Sequence, residues 1–356
     1  MPEMVALVKI TSIPLLFIQY LPASDSSGNF EFENRNQNIF INNVDDSGSM
    51  IKGSSPEAVL ILTKTGYIDS IMLQNTFIHI QSIGVVTEQR LWESGLRDWN
   101  AFYGDISIPL FGKRKYLLKS GIEESRQHLH QNNPGYFSKL LPSNQSWRFF
   151  PEFRNSTVYL DIETTGLDRH YHSITTIALY DGHESKTYVH GQNLEDLIDE
   201  IYKYKVIVTY NGKSFDIPFI ESFFNIRLNH AQIDLRYVLY SLGYRGGLKG
   251  VERQLGTDRG DLLDVDGFFA VLLWDEYQKT GDQKALDTLL AYNIQDTITL
   301  ENLTVTAYNM KLTKTPFPDN LLIEESRPPV NPLSADLATI DKIKSSSQYW
   351  ASGQWY

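Results

Sequence analysis

The chain has 356 residues, 42% of them hydrophobic, no cysteine and a formal net charge of −11. That length holds one large domain and a smaller one. The missing cysteines exclude disulfides and thiolate metal sites, leave oxygen and imidazole as metal donors, and fit a reducing, cytoplasmic setting. No stretch offers the roughly 20 unbroken apolar residues of a membrane span, so no membrane partner is expected.

Residues 1–71 read as an extension without regular structure. Asp25-Ser-Ser-Gly28 and Asn42-Asn-Val-Asp-Asp-Ser-Gly-Ser49 are polar and turn-rich, and the apolar stretch from Val5 to Leu21 is broken by Lys9 and Pro14. No basic region or small-residue cleavage site makes it a convincing leader. Because the patterned sequence opens at Met72, the extension is also open to a start-site explanation. Residues 72–150 read as a small, mostly helical segment. Thr87–Ser94 is a short helix entered through Ile83-Gly84, either half of a helix-hairpin-helix or a packing helix capped by Gly95. Lys113, Arg114, Lys115 and Lys119 make a basic patch, either a solvated face or a guide for a strand of nucleic acid. A helix over 123–140 follows. This segment carries 9 Lys+Arg against 6 Asp+Glu, whereas residues 155–310 carry 13 against 23.

Residues 155–310 alternate strand and helix. Strands are expected at 158–163, 173–180, 186–190 and 206–210, and helices at 194–202, 217–224, 248–255, 268–280 and 284–310. This is an α/β pattern, a mixed sheet flanked by helices. Prolines 316, 318, 328, 329 and 332 mark residues 311–356 as a non-helical tail.

Chemistry concentrates in three places. Val158-Tyr-Leu-Asp-Ile-Glu163 is a strand in which Asp161 and Glu163, two apart, face the same side. Paired carboxylates suit a hard divalent cation of the Mg²⁺ or Mn²⁺ kind; the alternative is a strand end with two solvated acids. Strand 206–210 leads through the turn Asn211-Gly-Lys-Ser214 to Asp216, with Pro218 in the first turn of a helix. Tyr292 and Asp296, four apart, share a helical face. No zinc-peptidase, acyl-transfer or P-loop pattern is present.

In this order, Asp161/Glu163, Asp216 and Tyr292-x-x-x-Asp296 resemble the three motifs of the DEDD 3′–5′ exonuclease superfamily, tyrosine type. Asn211-Gly-Lys-Ser-Phe-Asp-Ile-Pro-Phe219 also resembles the proofreading exonuclease of family B DNA polymerases, but the 60 residues after Asp296 are too few for a polymerase palm. Gly247-Leu-Lys-Gly-Val-Glu-Arg-Gln-Leu-Gly256, together with Leu91-Trp-Glu-Ser-Gly95 and Asp98-Trp99, is similar to the YprB-like ribonuclease H-like group. The resemblance covers about residues 72–310. It implies an RNase H-like fold, two divalent cations held by Asp161, Glu163, Asp216 and Asp296, a water-orienting Tyr292, and hydrolysis of DNA or RNA from single-stranded 3′ ends. Asp161 is the implied bridging ligand. Leu167 is implied as a wedge beside the terminal base, or else as an apolar loop anchor. Asn211, Lys249, Arg253 and Arg259 are candidate substrate contacts and Phe215 a packing residue; Asp234, in a strand-to-helix segment after His230, is either an acid that the family places similarly or a helix cap. The rival expectation is a catalytically silent nucleic-acid-binding or scaffold protein on the same fold.

Overall fold

The computed structural model describes residues 72–256, 267–317, 321–325 and 329–346, together with five strands nearer the N-terminus. Two compact units divide the chain, 1–69 and 70–356. In the first, β1 (Val5–Ile10) and β4 (Ile51–Lys52) flank β5 (Ala58–Thr63), both antiparallel to it. β2 (Phe30–Asn34) pairs antiparallel with β3 (Gln37–Ile41). These strands fall in the stretch read as an extension without regular structure, on runs such as Ala-Val-Leu-Ile-Leu-Thr that have strand propensity. The turn-rich sequences 25–28 and 42–49 lie outside the described residues.

The second unit opens with helices. α1 (Val85–Glu93) ends through Gly95 at φ +97°, a glycine closure of the last turn. α2 (Lys113–His130) and α3 (Pro134–Leu140) replace the single helix expected over 123–140. The break lies where Asn132 takes φ +50° and Pro134, which has no N–H to donate, opens the next helix. A 3₁₀ stretch, Ser143–Phe149, and short α4 (Phe150–Phe153) lead into the sheet.

Five strands form that sheet in the order β10-β9-β6-β7-β8. β6 (Thr157–Thr164) is central, antiparallel to β7 (Ile174–Tyr180), which is antiparallel to β8 (Ser185–Val189). On its other side β6 runs parallel to β9 (Val206–Thr209), which runs parallel to β10 (Ala231–Asp234). β6, β7 and β9 are buried almost throughout because both faces of the sheet are covered. Val158, Leu160, Ile162, Ile177 and Ile207 pack against α5 (Leu197–Ile201) and α6 (Asp216–Phe224). Tyr159, Ala178, Val208 and Ile233 face the opposite way, toward Ile294 and Ile298 of the 30-residue α10 (Gln283–Leu312) and toward α7 (Leu235–Leu242). α8 (Leu248–Leu255) and α9 (Gly267–Thr280) complete that side. The helical segment 72–150 shares this second core, contributing Phe77, Trp99, Phe137 and Phe149. This is the expected mixed sheet flanked by helices.

The tail differs from the expectation. Beyond its prolines, α11 (Leu337–Ser346) forms, and Ile340 and Ile343 are buried with Phe269, Leu273 and Leu289. Asn331 donates to the Ala291 carbonyl at 2.7 Å, and the Asp336 N–H donates to Thr288 at 3.0 Å. Proline punctuation ended α10 correctly, but the three-residue apolar spacing of Leu337, Ile340 and Ile343 is itself helical.

Four ionisable groups of segment 72–150 and α4 are enclosed: Glu88, His79 and Arg148 are buried and Glu152 is half-buried. Glu88 is fully buried, pairs with Arg148 at 2.8 Å and accepts the Phe77 and Ile78 N–H groups. His79 bonds Ser125 at 2.7 Å, and burial first, then the Arg148 charge, lowers its pKa to about 3. Glu152 accepts the Leu73 N–H at 2.5 Å, its other oxygen is buried with no hydrogen-bond partner, and desolvation raises its pKa to about 8. A carboxyl raised on folding stabilises at low pH, and this contribution disappears as pH rises through the folded pKa. Thermal unfolding should therefore show stability declining between about pH 4.5 and 8, and Glu152→Gln should reduce that slope, leaving the share of the other buried carboxyls with raised pKa. An unchanged slope in the variant would show that Glu152 is not the responsible group.

Candidate metal centre

Asp161 and Glu163 belong to β6, which pairs through them with Ala178 and Thr176 of β7. The side chains alternate across the pleat, so both acids share the α10 face with Tyr159. A register shift between Glu163 and Thr164 ends the regular pairing just past the second acid. Such a bulge re-aims the strand end, a frequent device beside functional sites. From the facing helix comes Asp296. Carboxylate oxygens of Asp161, Glu163 and Asp296 all lie within 4.8 Å of one another, the one such group among the described residues. Glu163 and Asp296 are buried and Asp161 is half-buried.

Asp216 opens α6 at the end of β9 and is buried. Its carboxylate accepts the Ile162 N–H between the two β6 acids, and its charge acts on Asp161. Desolvation raises the Asp216 pKa to about 7. Asp161 is raised well above the carboxylate range, by desolvation first and then by the charges of Asp296, Glu163 and Asp216. Four acids converging in a desolvated cleft form a donor set that fits a hard divalent cation. Asp161, Glu163 and Asp296 are the residues that would hold it, with Asp216 beside them.

Asn293, which the motif spacing did not single out, fixes the arrangement. Its side-chain NH₂ donates to the Asp161 carboxylate at 2.7 Å and to the Asp161 carbonyl at 3.2 Å, while its oxygen accepts from Thr176 at 3.0 Å. One fully buried amide thus clamps β6, β7 and α10 together at the acid pair. Its position within the Tyr292–Asp296 helix was the only signal in the sequence.

The turn before Asp216 is equally constrained. Asp234 is fully buried and accepts N–H groups from Asn211, Lys213 and Arg236 at 2.8, 3.1 and 3.1 Å, so it caps α7 as expected and also braces the turn. Asn211 adopts φ +70°, and its side-chain oxygen accepts from Arg236 at 2.5 Å. At Gly212 an added Cβ would overlap the Thr209 side chain, so only glycine fits. Phe215 packs against Phe219 with ring centroids 5.5 Å apart.

Tyr292 is buried one turn before Asp296, and the Lys249 ammonium of α8 stands 4.6 Å from its ring centroid. Arg253, one turn further along α8, is exposed; Arg259 lies outside the described residues. Leu167 is 85% exposed, at the tip of a loop in which Asp168 accepts the N–H groups of His170, Tyr171 and His172. It therefore anchors nothing in the fold.

Residues 158–308 match the family model RNase_H_2, of the RNase H superfamily. Comparison with curated proteins gives no match. Among solved structures, the family B DNA polymerase of the hyperthermophilic archaeon Pyrobaculum calidifontis is similar at 17% identity and a TM-score of 0.34, over 44% of this chain and 24% of the polymerase. The chain thus spans about a quarter of that protein. No described helix is long and apolar enough to cross a membrane.

A cation bound by the native cluster alone stabilises the fold by mass action. Millimolar Mn²⁺ should raise the melting temperature over that in EDTA, and Asn293→Ala should shrink this shift by freeing the Asp161 carboxylate. A shift of equal size in wild type and variant would remove Asn293 from the centre.

Proposed function

We propose that this chain is a metal-dependent nuclease of the DEDD tyrosine type, hydrolysing phosphodiester bonds of DNA or RNA from single-stranded 3′ ends. The observation that carries the proposal is the convergence of Asp161, Glu163 and Asp296 within 4.8 Å, with the charge of Asp216 acting on Asp161. Carboxylates so close repel unless a cation neutralises them, and a neutralised cluster accepts a phosphate that the bare one rejects. Two divalent cations, Mg²⁺ or Mn²⁺, would supply Lewis acidity for the attacking and leaving oxygens.

The residues of the chain do the rest. Asn293 holds the Asp161 carboxylate in one rotamer, so the donor set does not have to be ordered when substrate arrives. Tyr292, on the helical face of Asp296, presents a phenol to orient the attacking water. The Lys249 ammonium over its ring adds positive charge on the side of the phenol. Burial of Glu163, Asp216, Tyr292 and Asp296 keeps bulk water from competing for these interactions.

End-labelled oligonucleotides, DNA and RNA, single- and double-stranded, incubated with Mn²⁺ test the reading. Shortening from the 3′ end is expected. Absence of cleavage with every metal would leave a binding or scaffold protein on this fold. Two substitutions divide the roles. Asp296→Ala should abolish the Mn²⁺-dependent melting shift and nearly all cleavage. Tyr292→Phe keeps the ring and should retain the shift while slowing single-turnover cleavage by about 10²-fold, the lower end for a water-positioning group. Loss of metal binding in Tyr292→Phe would make the tyrosine structural.

A further inference from the structure

The helical segment carries an exposed surface that neither the acid cluster nor the apolar core uses. Between the end of the stretch 101–103 and the start of α2 lies a shallow groove of about 440 Å³, lined by Phe102, Tyr103, Gly112, Lys115, Tyr116 and Lys119. Tyr103 is 53%, Tyr116 70% and the neighbouring Phe111 86% exposed. Large aromatics are costly to leave in water, and three beside one groove mark a contact surface. Leu110, buried, anchors the residue before Phe111. Phe102 packs edge-on to Tyr103 at 5.3 Å, and the Arg126 guanidinium, bonded to Asn100 at 2.7 Å, lies 5.1 Å from the Tyr103 centroid.

The charged residues that line the groove itself, Lys115 and Lys119, are both cations. Lys115 and Lys119 are four apart on α2, with Tyr116 on the turn between them, so two ammonium groups flank a ring. Lys119 meets Glu123 only at 3.8 Å, with both side chains about half in water, a pairing of little strength. Lys113, at the start of the helix, is exposed. Lys113 and Lys115 sit in the first turn of α2, at the positive end of its dipole, where cations are disfavoured unless an anion joins them. The cluster also narrows: Arg114 is spent on the Ser82 carbonyl at 3.1 Å and Thr87 at 3.2 Å, tying α2 to α1. What remains is aromatic faces interleaved with ammonium groups.

We infer that this groove is a binding site for single-stranded nucleic acid, separate from the acid cluster, in which bases stack on Tyr103, Phe111 and Tyr116 and phosphates meet Lys113, Lys115 and Lys119. Unpaired bases offer π-faces that a duplex hides, and backbone charge matches the lysines, so aromatic and basic residues are used together. A purely apolar partner would leave the lysines unexplained. The site stands whether or not the acid cluster cleaves phosphodiesters.

Fluorescence anisotropy of the full chain in EDTA, where no cleavage occurs, tests it with labelled oligothymidylate and oligouridylate of about 20 nucleotides, enough to cover one such site, and with a duplex of the same length. Phe111→Ala and Tyr116→Ala should each weaken single-strand binding about fivefold or more, the low end for removing one stacking platform. Duplex binding should change much less. The triple change Lys113→Ala, Lys115→Ala, Lys119→Ala should also weaken binding and flatten its salt dependence by about 0.7 for each phosphate no longer neutralised. All these side chains are exposed, so unchanged circular-dichroism melts should accompany every variant. Wild-type affinity and salt slope in the variants would overturn the inference. So would equal losses for duplex and single strand. A third overturning result is a self-associated form that the aromatic variants disperse in sedimentation while oligonucleotide binding stays the same. Failure of the Mn²⁺ cleavage assay bears on the acid cluster alone.

Discussion

Mutual repulsion among Asp161, Glu163, Asp216 and Asp296 is the constraint around which the second unit is arranged. Like charges in a poorly solvated cleft push one another toward protonation or apart, and side chains on a pliant backbone would simply separate. Here each is delivered by an element that cannot yield. Asp161 and Glu163 stand on the central strand, which pairs with β9 over its first three residues and with β7 from Tyr159 through both acids. Asp216 opens a helix whose approach is fixed by Asp234 and Gly212. Asp296 lies mid-way along a 30-residue helix with most of its residues buried. The energy to hold the acids together comes from the two apolar layers of the sheet, not from the site itself.

The ionisable groups of segment 72–150 show the opposite arrangement. Glu88 and Arg148 are buried but matched, each satisfied by the other and by backbone or hydroxyl groups. His79 is neutral among aromatic rings. Such a pair contributes little net stability, yet removal of one partner would leave an uncompensated charge, so it holds the segment to one packing. The centre concentrates unbalanced charge, and the neighbouring segment cancels its own.

Much of this was legible because the relevant spacings are short. Two acids at i and i+2 on an apolar run share a strand face, and Tyr292 and Asp296 share a helix face, whatever surrounds them. The order of strands and helices over 155–310 followed from the same periods. Asn293 was not legible, since its partners Asp161 and Thr176 are 132 and 117 residues away and an Asn inside a helix reads as an ordinary polar position. Glu88, Arg148 and Glu152 were not singled out, because sequence gives charge but not enclosure. α11 was hidden by the prolines before it, which mark where one helix stops and say nothing of whether another begins.

α10 has a role beyond carrying Asp296. Along its length it supplies Tyr292, Asn293 and Asp296, accepts Asn331 at Ala291, and ties residues 321 and 323 through Tyr308 and Asn309. A helix turns about 100° and advances about 1.5 Å per residue. Losing or gaining one residue between 288 and 293 would keep either Thr288 on the tail or the amide on Asp161, but not both. Chain length is therefore fixed in this helix as strictly as residue identity, whereas the turn at 181–184, at the surface and joining two antiparallel strands, can vary in length without touching the acids.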